Sequence, residues 1–87
     1  MMKPVLSKDV VEQDLGEEMV LLDLSNGTYH GLNGVGMFVW KALRAGTEQE
    51  MIPSLIAQQF DVELAHAHAD MDEFLKQLGA AGLLRND

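Results

Sequence analysis

The first third of the chain alternates short apolar runs with polar breaks, a pattern typical of β-strands. The runs VVEQDL (10–15) and MVLLDL (19–24) are separated by Gly16-Glu17-Glu18, a plausible turn. Asn26-Gly27 follows, and this pair is the strongest short hairpin signal because a type I′ turn needs positive φ at both central residues. The next apolar segment is TYHGL (28–32). The pattern therefore predicts a three-stranded antiparallel sheet made of consecutive hairpins.

A two-residue turn at Asn26-Gly27 also predicts how the second hairpin pairs. It places Asp23 opposite His30 and Leu21 opposite Leu32. Because side chains alternate along a strand, each strand contributes to two faces. One face should carry Val20, Leu22, Leu24 and Tyr29, and the other should carry Leu21, Asp23, His30 and Leu32. Both faces hold apolar residues, so the pattern leaves open which face meets the core.

After Asn33, apolar residues recur every three to four positions, which indicates helices. The spacing predicts helices over about 34–45, 48–60 and 63–81, with Asn33 as the first N-cap. Thr47 and Glu50 have the spacing of a capping box for the second helix, and Pro53 is expected to bend that helix. The element order β-β-β-α-α-α predicts an α+β domain.

Length and composition favour one folded domain, 1–87, in the cytoplasm. The chain has 87 residues, of which 47% are hydrophobic. It has no apolar run of membrane-spanning length and no signal-peptide pattern, so neither a membrane partner nor export is expected. There is no Cys, which excludes thiol catalysis, disulfides and thiolate metal sites.

The charge argues against a nucleic-acid partner. The formal net charge is −8, and the six Lys and Arg residues are spread through the chain. A nucleic-acid binder normally presents a basic stripe that neutralises phosphates, and the sequence has none.

The glycines of GLNGVG (31–36) resemble a nucleotide-binding loop at first sight. The segment lacks the Gly-Lys-Ser/Thr of a Walker motif, and the predicted antiparallel hairpin is not the βαβ unit of a dinucleotide fold. We therefore interpret it as a corner between strand and helix, with Gly31 and Gly34 providing tight backbone geometry.

The polar residues do not assemble into a convincing catalytic or metal site. His66 and His68 are two positions apart, so on a helix they point to different sides, unlike the i,i+4 pair of zinc helices. Ser25, His30 and Asp23 all lie on one hairpin with no site for an oxyanion, so the pattern does not predict a catalytic triad. The sequence predicts no catalytic residues, no metal and no cofactor.

The third strand, TYHGL, is predicted to lie at an edge of the sheet. Proteins usually protect such edges with charge, proline or a cover, because the free backbone can pair with another chain. This segment has no Lys or Pro. An extended peptide can therefore add beside residues 28–32 as a fourth strand, and the same edge permits a homodimer.

The ordered combination of motifs resembles the family of the coenzyme PQQ synthesis protein D. The matching runs are LLDLSNGTYHGLNGVGMFVWKAL and TEQEMIPSLIAQQFDVELAHAHADMDEFLKQLGAAGLL, within a likeness that covers about 10–84. The family includes the recognition elements for ribosomally made, modified precursor peptides. Within it, this chain is most similar to the stand-alone recognition proteins of lasso-peptide pathways.

The resemblance implies a winged-helix-like domain without catalysis, which binds the leader segment of a precursor peptide. In such proteins the leader adds to the third strand, in a groove closed by the third helix. Carried onto this chain, the implied peptide-binding residues are Thr28, Tyr29, His30, Gly31, Leu32, His66, Ala69, Asp70, Glu73, Phe74 and Gln77. The implied partners are the leader and a separate processing enzyme, either a leader peptidase or a radical enzyme.

Two other functions remain as alternatives. Acyl carrier proteins are also small, acidic and helical, and Pro53-Ser54-Leu55 stands where they would need Asp-Ser-Leu at the start of a helix. A winged-helix DNA-binding module is the second alternative, and the acidic charge opposes it.

Overall fold

The computed structural model describes residues 4–86. Three strands form an open antiparallel sheet in the order β2-β3-β4, and three helices follow, so the predicted α+β fold is confirmed. The strands are β1 (Pro4–Leu6), β2 (Val10–Asp14), β3 (Glu18–Asp23), β4 (Thr28–Asn33) and β5 (Leu84–Asn86). The helices are α1 (Gly34–Arg44), α2 (Ile52–Phe60) and α3 (Leu64–Ala80), with a 3₁₀ turn, Gln49–Met51, before α2.

A second, two-stranded sheet was not predicted. It pairs β1 with β5 in antiparallel fashion, with Val5 opposite Arg85. The backbone N–H of Ser7 extends the pairing by donating to the carbonyl of Leu83 at 3.0 Å. Each strand has only three residues, too few to show an alternating pattern, and the partners come from opposite ends of the described chain.

The predicted pairing of β3 with β4 is wrong by two residues. Asp23 lies opposite Thr28, and His30 lies opposite Leu21. This pairing leaves a four-residue loop over 24–27 between the strands. A type I′ turn at Asn26-Gly27 would need positive φ at both residues, but only Gly27 has one, at +72°.

Hydrogen bonds made by side chains in and beside the loop explain why it has four residues rather than two. The Asp23 carboxylate accepts bonds from the Ser25 backbone N–H at 2.9 Å and from the Ser25 hydroxyl at 2.6 Å. The Asn26 side-chain oxygen accepts bonds from the backbone N–H and hydroxyl of Thr28. These local bonds favour a longer turn over the two-residue one.

The shift by two residues leaves the predicted faces intact, since side chains alternate with a period of two. The structure also shows which face meets the core. Met19, Leu21 and Leu32 are buried, whereas Leu24 and Tyr29 on the other face are 61% and 72% exposed. The core is completed by residues of all three helices, including Trp40, Ile52, Ile56, Met71, Phe74 and Leu78.

The helices lie where the periodicity predicts, but two details of α2 differ. Thr47 does not cap the helix, and neither the 3₁₀ turn nor α2 begins with a side-chain cap bond, so the predicted capping box is wrong. Pro53 lies in the first turn of α2 rather than in its interior. A proline in the first turn removes no helical hydrogen bond, so the expected bend has no cause there.

Helix α1 is fixed to the sheet by polar contacts as well as by its apolar face. The indole N–H of buried Trp40 donates to the Glu12 carboxylate at 2.6 Å, and Arg44 pairs with the same carboxylate. Lys41 pairs with Asp14 at 2.8 Å. Glu12 and Asp14 both lie on β2, so these contacts join α1 to that strand.

Candidate functional site

Strand β4 lies at one edge of the three-stranded sheet. β3 pairs with one side of it, and within residues 4–86 no strand pairs with the other side. Alternate backbone N–H and C=O groups of 28–33 therefore face outward, which is the arrangement that accepts an added strand.

A groove begins where β4 ends. One wall is the corner between β4 and α1, residues 33–36, and the other wall is one face of α3. The α3 residues that line it are Asp70, Glu73, Phe74 and Gln77. Their i, i+3, i+4, i+7 spacing places them on a single stripe of the helix.

Two glycines shape the corner wall. Gly34 has φ of +52°, a conformation that L side chains rarely adopt, so it permits the turn from β4 into α1. A Cβ on Gly36 would lie 3.0 Å from Cε1 of Phe74 and 3.2 Å from its Cδ1. The missing side chain of Gly36 therefore allows the Phe74 ring to pack directly against the first turn of α1.

The groove is acidic. Asp70 and Glu73 are the charged residues among those that line it. Lys76, the one Lys or Arg of α3, lines a separate depression on another side of the helix, with Gln49 and Asp72. His66, one turn before Asp70, places its Nε2 at 3.0 Å from the Asp70 carboxylate.

The eleven residues singled out in the sequence divide into three groups in the structure. Asp70, Glu73, Phe74 and Gln77 line the groove. Thr28, Tyr29, His30, Gly31 and Leu32 form β4, but the Leu32 side chain is buried in the core, so it offers the edge only its backbone. His66 and Ala69 are exposed on α3 and are not among the groove-lining residues.

The sequence does not predict the corner wall of the groove. For residues 33–36 it predicts only a connection between strand and helix, yet these residues form one whole side of the groove. The sequence feature that could have indicated this wall is Gly36. It interrupts the apolar spacing of α1 at a position where a packed side chain is expected.

The structure also bears on the rejected catalytic and metal sites. The Ser25 hydroxyl donates to Asp23, whereas His30 contacts the Thr28 hydroxyl at 3.1 Å and lies opposite Leu21. Among residues 4–86, no three His, Asp or Glu side chains are grouped closely enough to hold a metal ion. Within the same range, no helix is both long enough and apolar enough to span a membrane.

The chain is similar to known proteins in sequence and in fold. The family model described as Coenzyme PQQ synthesis protein D (PqqD) matches residues 18–84. TbiB1, solved in complex with the TbiA(beta) leader peptide, is 35% identical, with a TM-score of 0.86 over 92% of this chain and 93% of that chain. No curated protein matches the sequence.

A second solved structure has the same fold. It is the lasso peptide synthetase B1, complexed with the leader peptide. It is 24% identical, with a TM-score of 0.77 over 94% of this chain and 96% of that chain.

Proposed function

The chain belongs to the coenzyme PQQ synthesis protein D family, and we propose that it binds the leader segment of a ribosomally synthesised precursor peptide of the lasso type. The observation that carries this proposal is the open edge of β4, which continues into a groove walled by α3. The likeness to TbiB1 supports it, because that protein is 35% identical and was solved with a leader peptide bound.

The leader would bind as a fourth strand beside β4. Its backbone would take the outward N–H and C=O groups of residues 28–33, which gives affinity that depends little on sequence. Because side chains alternate along an extended peptide, every second leader residue would face the core side of the sheet, where the groove lies. Those residues would provide the selectivity.

We assign no chemical step to the chain itself. A triad would need Asp23 to orient His30, but Asp23 holds Ser25 instead and His30 faces a different partner. The leader would therefore be presented to a separate processing enzyme, either a leader peptidase or a radical enzyme. A homodimer through the open β4 edge is a further state expected when no leader is present, and leader binding would compete with it.

Neither alternative function is favoured by the structure. Ser54 lies within the first turn of α2, directly after buried Pro53, and no Asp precedes it as an acyl carrier would require. A DNA-binding module would need a basic face, but α3 presents Asp70 and Glu73 in its groove.

The proposal is tested by titrating the chain with the leader of the precursor peptide encoded beside it. A set of leader peptides, each N-methylated at one backbone nitrogen, separates strand addition from other modes of binding. N-methylation removes one donor without changing the protein. In an added strand only every second N–H of the peptide faces β4, so loss of affinity should alternate along the docked segment.

The matched protein variants are Tyr29→Pro in β4 and Leu64→Pro at the exposed first residue of α3, where a proline removes no helical hydrogen bond; folding is checked by circular dichroism. Tyr29→Pro should weaken leader binding by at least tenfold, while Leu64→Pro should bind normally. Absence of binding at tens of micromolar would reject the function. If leader affinity is the same for the Tyr29→Pro variant and for every N-methylated peptide, strand addition is rejected.

A further inference from the structure

The groove walls suggest what kind of side chains the bound peptide carries, and this inference rests on the function proposed above. An apolar surface and a pair of carboxylates lie along the same stripe of α3. Phe74 is a buried ring, 8% exposed, at the base of the groove. Asp70 lies one helical turn before it and Glu73 lies beside it.

The distance between these two surfaces matches the repeat of an extended peptide. Asp70 and Phe74 are four residues apart in sequence, which is about 6 Å along the axis of α3. Residues i and i+2 of a strand are about 6.6 Å apart, and they point to the same face. A peptide strand in the groove can therefore place one side chain on Phe74 and the next side chain of that face beside the carboxylates.

The charge around the groove favours a cation at the second position. No Lys or Arg is among the residues lining the groove, and the segment 10–33, which contains the whole three-stranded sheet, has five Asp and Glu but no Lys or Arg. His66 is the one titratable base close to either carboxylate among the described ion pairs. A Lys or Arg of the peptide would pair with the partly buried Asp70 and with Glu73, which is exposed at the rim of the groove.

We infer that the groove selects leader peptides in which an apolar residue and a Lys or Arg are two positions apart. The apolar side chain would cover Phe74 and Val35, and the cation would lie between Asp70 and Glu73. The cation would also increase the association rate, since opposite charges accelerate encounter at low salt.

The test uses the cognate leader and a series in which each Lys or Arg is replaced by norleucine, which keeps an aliphatic stem and removes the charge. The protein variants are the double change Asp70→Asn/Glu73→Gln and, as a control, Asp72→Asn/Asp61→Asn. The control removes two negative charges as well, but Asp72 lines other surfaces of α3 and Asp61 ends α2.

At low salt the groove variant should bind the leader about three- to tenfold more weakly, the range expected for two partly exposed ion pairs. The control should change affinity by less than about twofold. One norleucine peptide should show the same loss with the natural protein and almost no further loss with the groove variant, and both losses should shrink at high salt.

The outcomes separate this inference from the function on which it rests. If the natural protein binds the leader and the groove variant binds it as the control does, the charge selection is wrong and leader binding stands. Full affinity for a leader with no Lys or Arg two positions from an apolar residue would also overturn the inference. If the natural protein binds no leader, the function itself fails.

Discussion

Gly36 is the residue at which the packing of the core and the shape of the groove depend on each other. Its missing side chain makes room for the Phe74 ring, and that ring is both part of the core and the base of the groove. A substitution here should therefore affect stability and peptide binding together.

Replacing Gly36 by Ala should destabilise the protein. The new methyl group would force the Phe74 ring to move, which costs about 1–3 kcal/mol, and the better helix propensity of Ala returns about 0.5–1 kcal/mol. The free energy of unfolding, measured by urea denaturation, should fall by about 1 kcal/mol. Leader affinity should change as well, because the Phe74 ring also lines the groove.

The matched control is Gly79→Ala, in the last turn of α3. A Cβ there meets no atom within 4 Å, so this change should stabilise the protein by about 0.5 kcal/mol. If both glycine changes stabilise the protein equally, the contact between Gly36 and Phe74 does not limit the packing.

The carboxyl of Asp23 leads to a second prediction, which concerns how the stability of the protein depends on pH. The bond from the Ser25 hydroxyl, followed by the bond from the Ser25 backbone N–H, lowers the pKa of this carboxyl below its usual value. A carboxyl whose pKa is lowered by folding stabilises the protein fully above its unfolded-state pKa. That stabilisation is lost as pH falls from the unfolded-state pKa through the lower folded-state pKa.

The urea midpoint of the natural protein should therefore fall over this acidic range and change less just above it. Asp23→Asn keeps an oxygen acceptor for Ser25 but cannot titrate, so the variant should be less stable at neutral pH and lose less stability in acid. An unchanged acid slope in the variant would contradict the role given to Asp23. Asp14, whose pKa is lowered mainly by its bond from Lys41, contributes to the slope in both proteins.

At the scale of elements, the Glu12 carboxylate makes two of the three polar contacts described between α1 and β2. Glu12 accepts the bond from the fully buried Trp40 indole and also pairs with Arg44, which is largely exposed. Burial makes the indole bond the more important of the two, because an unpaired buried donor cannot be satisfied by water.

Two substitutions of Glu12 separate these contributions. Glu12→Ala leaves the indole N–H without an acceptor and should cost about 1–3 kcal/mol. Glu12→Gln retains an acceptor and loses only the exposed ion pair, so it should cost less than about 1 kcal/mol. Denaturation followed by Trp40 fluorescence measures both, and equal losses would show that the indole bond contributes little.

The elements also show where prediction from the sequence succeeds and where it fails. The three strands of the larger sheet and the three helices follow from apolar spacing, which is a local property of the sequence. The pairing of β3 with β4 was missed by two residues because side-chain bonds of Asp23 and Asn26 select the loop. The faces were nevertheless correct, since a shift by two residues preserves them.

At the scale of the whole molecule, the features that the sequence did not predict are contacts between distant parts of the chain. The pairing of β1 with β5 joins segments about 80 residues apart. The groove joins the 33–36 corner to α3, and Gly36 meets Phe74 across 38 positions of sequence. A local pattern of apolar residues does not show which distant segments contact each other. The edge position of β4 could be predicted because it follows directly from the order of the hairpins.

The two faces of the sheet also differ in a way that separates peptide binding from other contacts. The outer face carries a row of Val11, Leu22 and Tyr29 that runs across all three strands, with Val11 and Tyr29 exposed. The groove lies on the other side of the β4 edge, with the core. Tyr29→Ser should therefore leave leader affinity within about twofold of the natural value, since the added strand takes the Tyr29 backbone and not its ring. A large loss in this variant would show that the leader also uses the outer face.

The central claim is that a leader peptide becomes the fourth strand of the sheet, beside β4. It is tested most directly by amide hydrogen exchange, resolved residue by residue by NMR, with and without the cognate leader. We predict that alternate amides within 28–33 gain protection on binding, because only every second N–H faces the added strand, while those already bonded to β3 change little. Leader binding that protects residues elsewhere and leaves the β4 amides exchanging at their free rates would contradict the account.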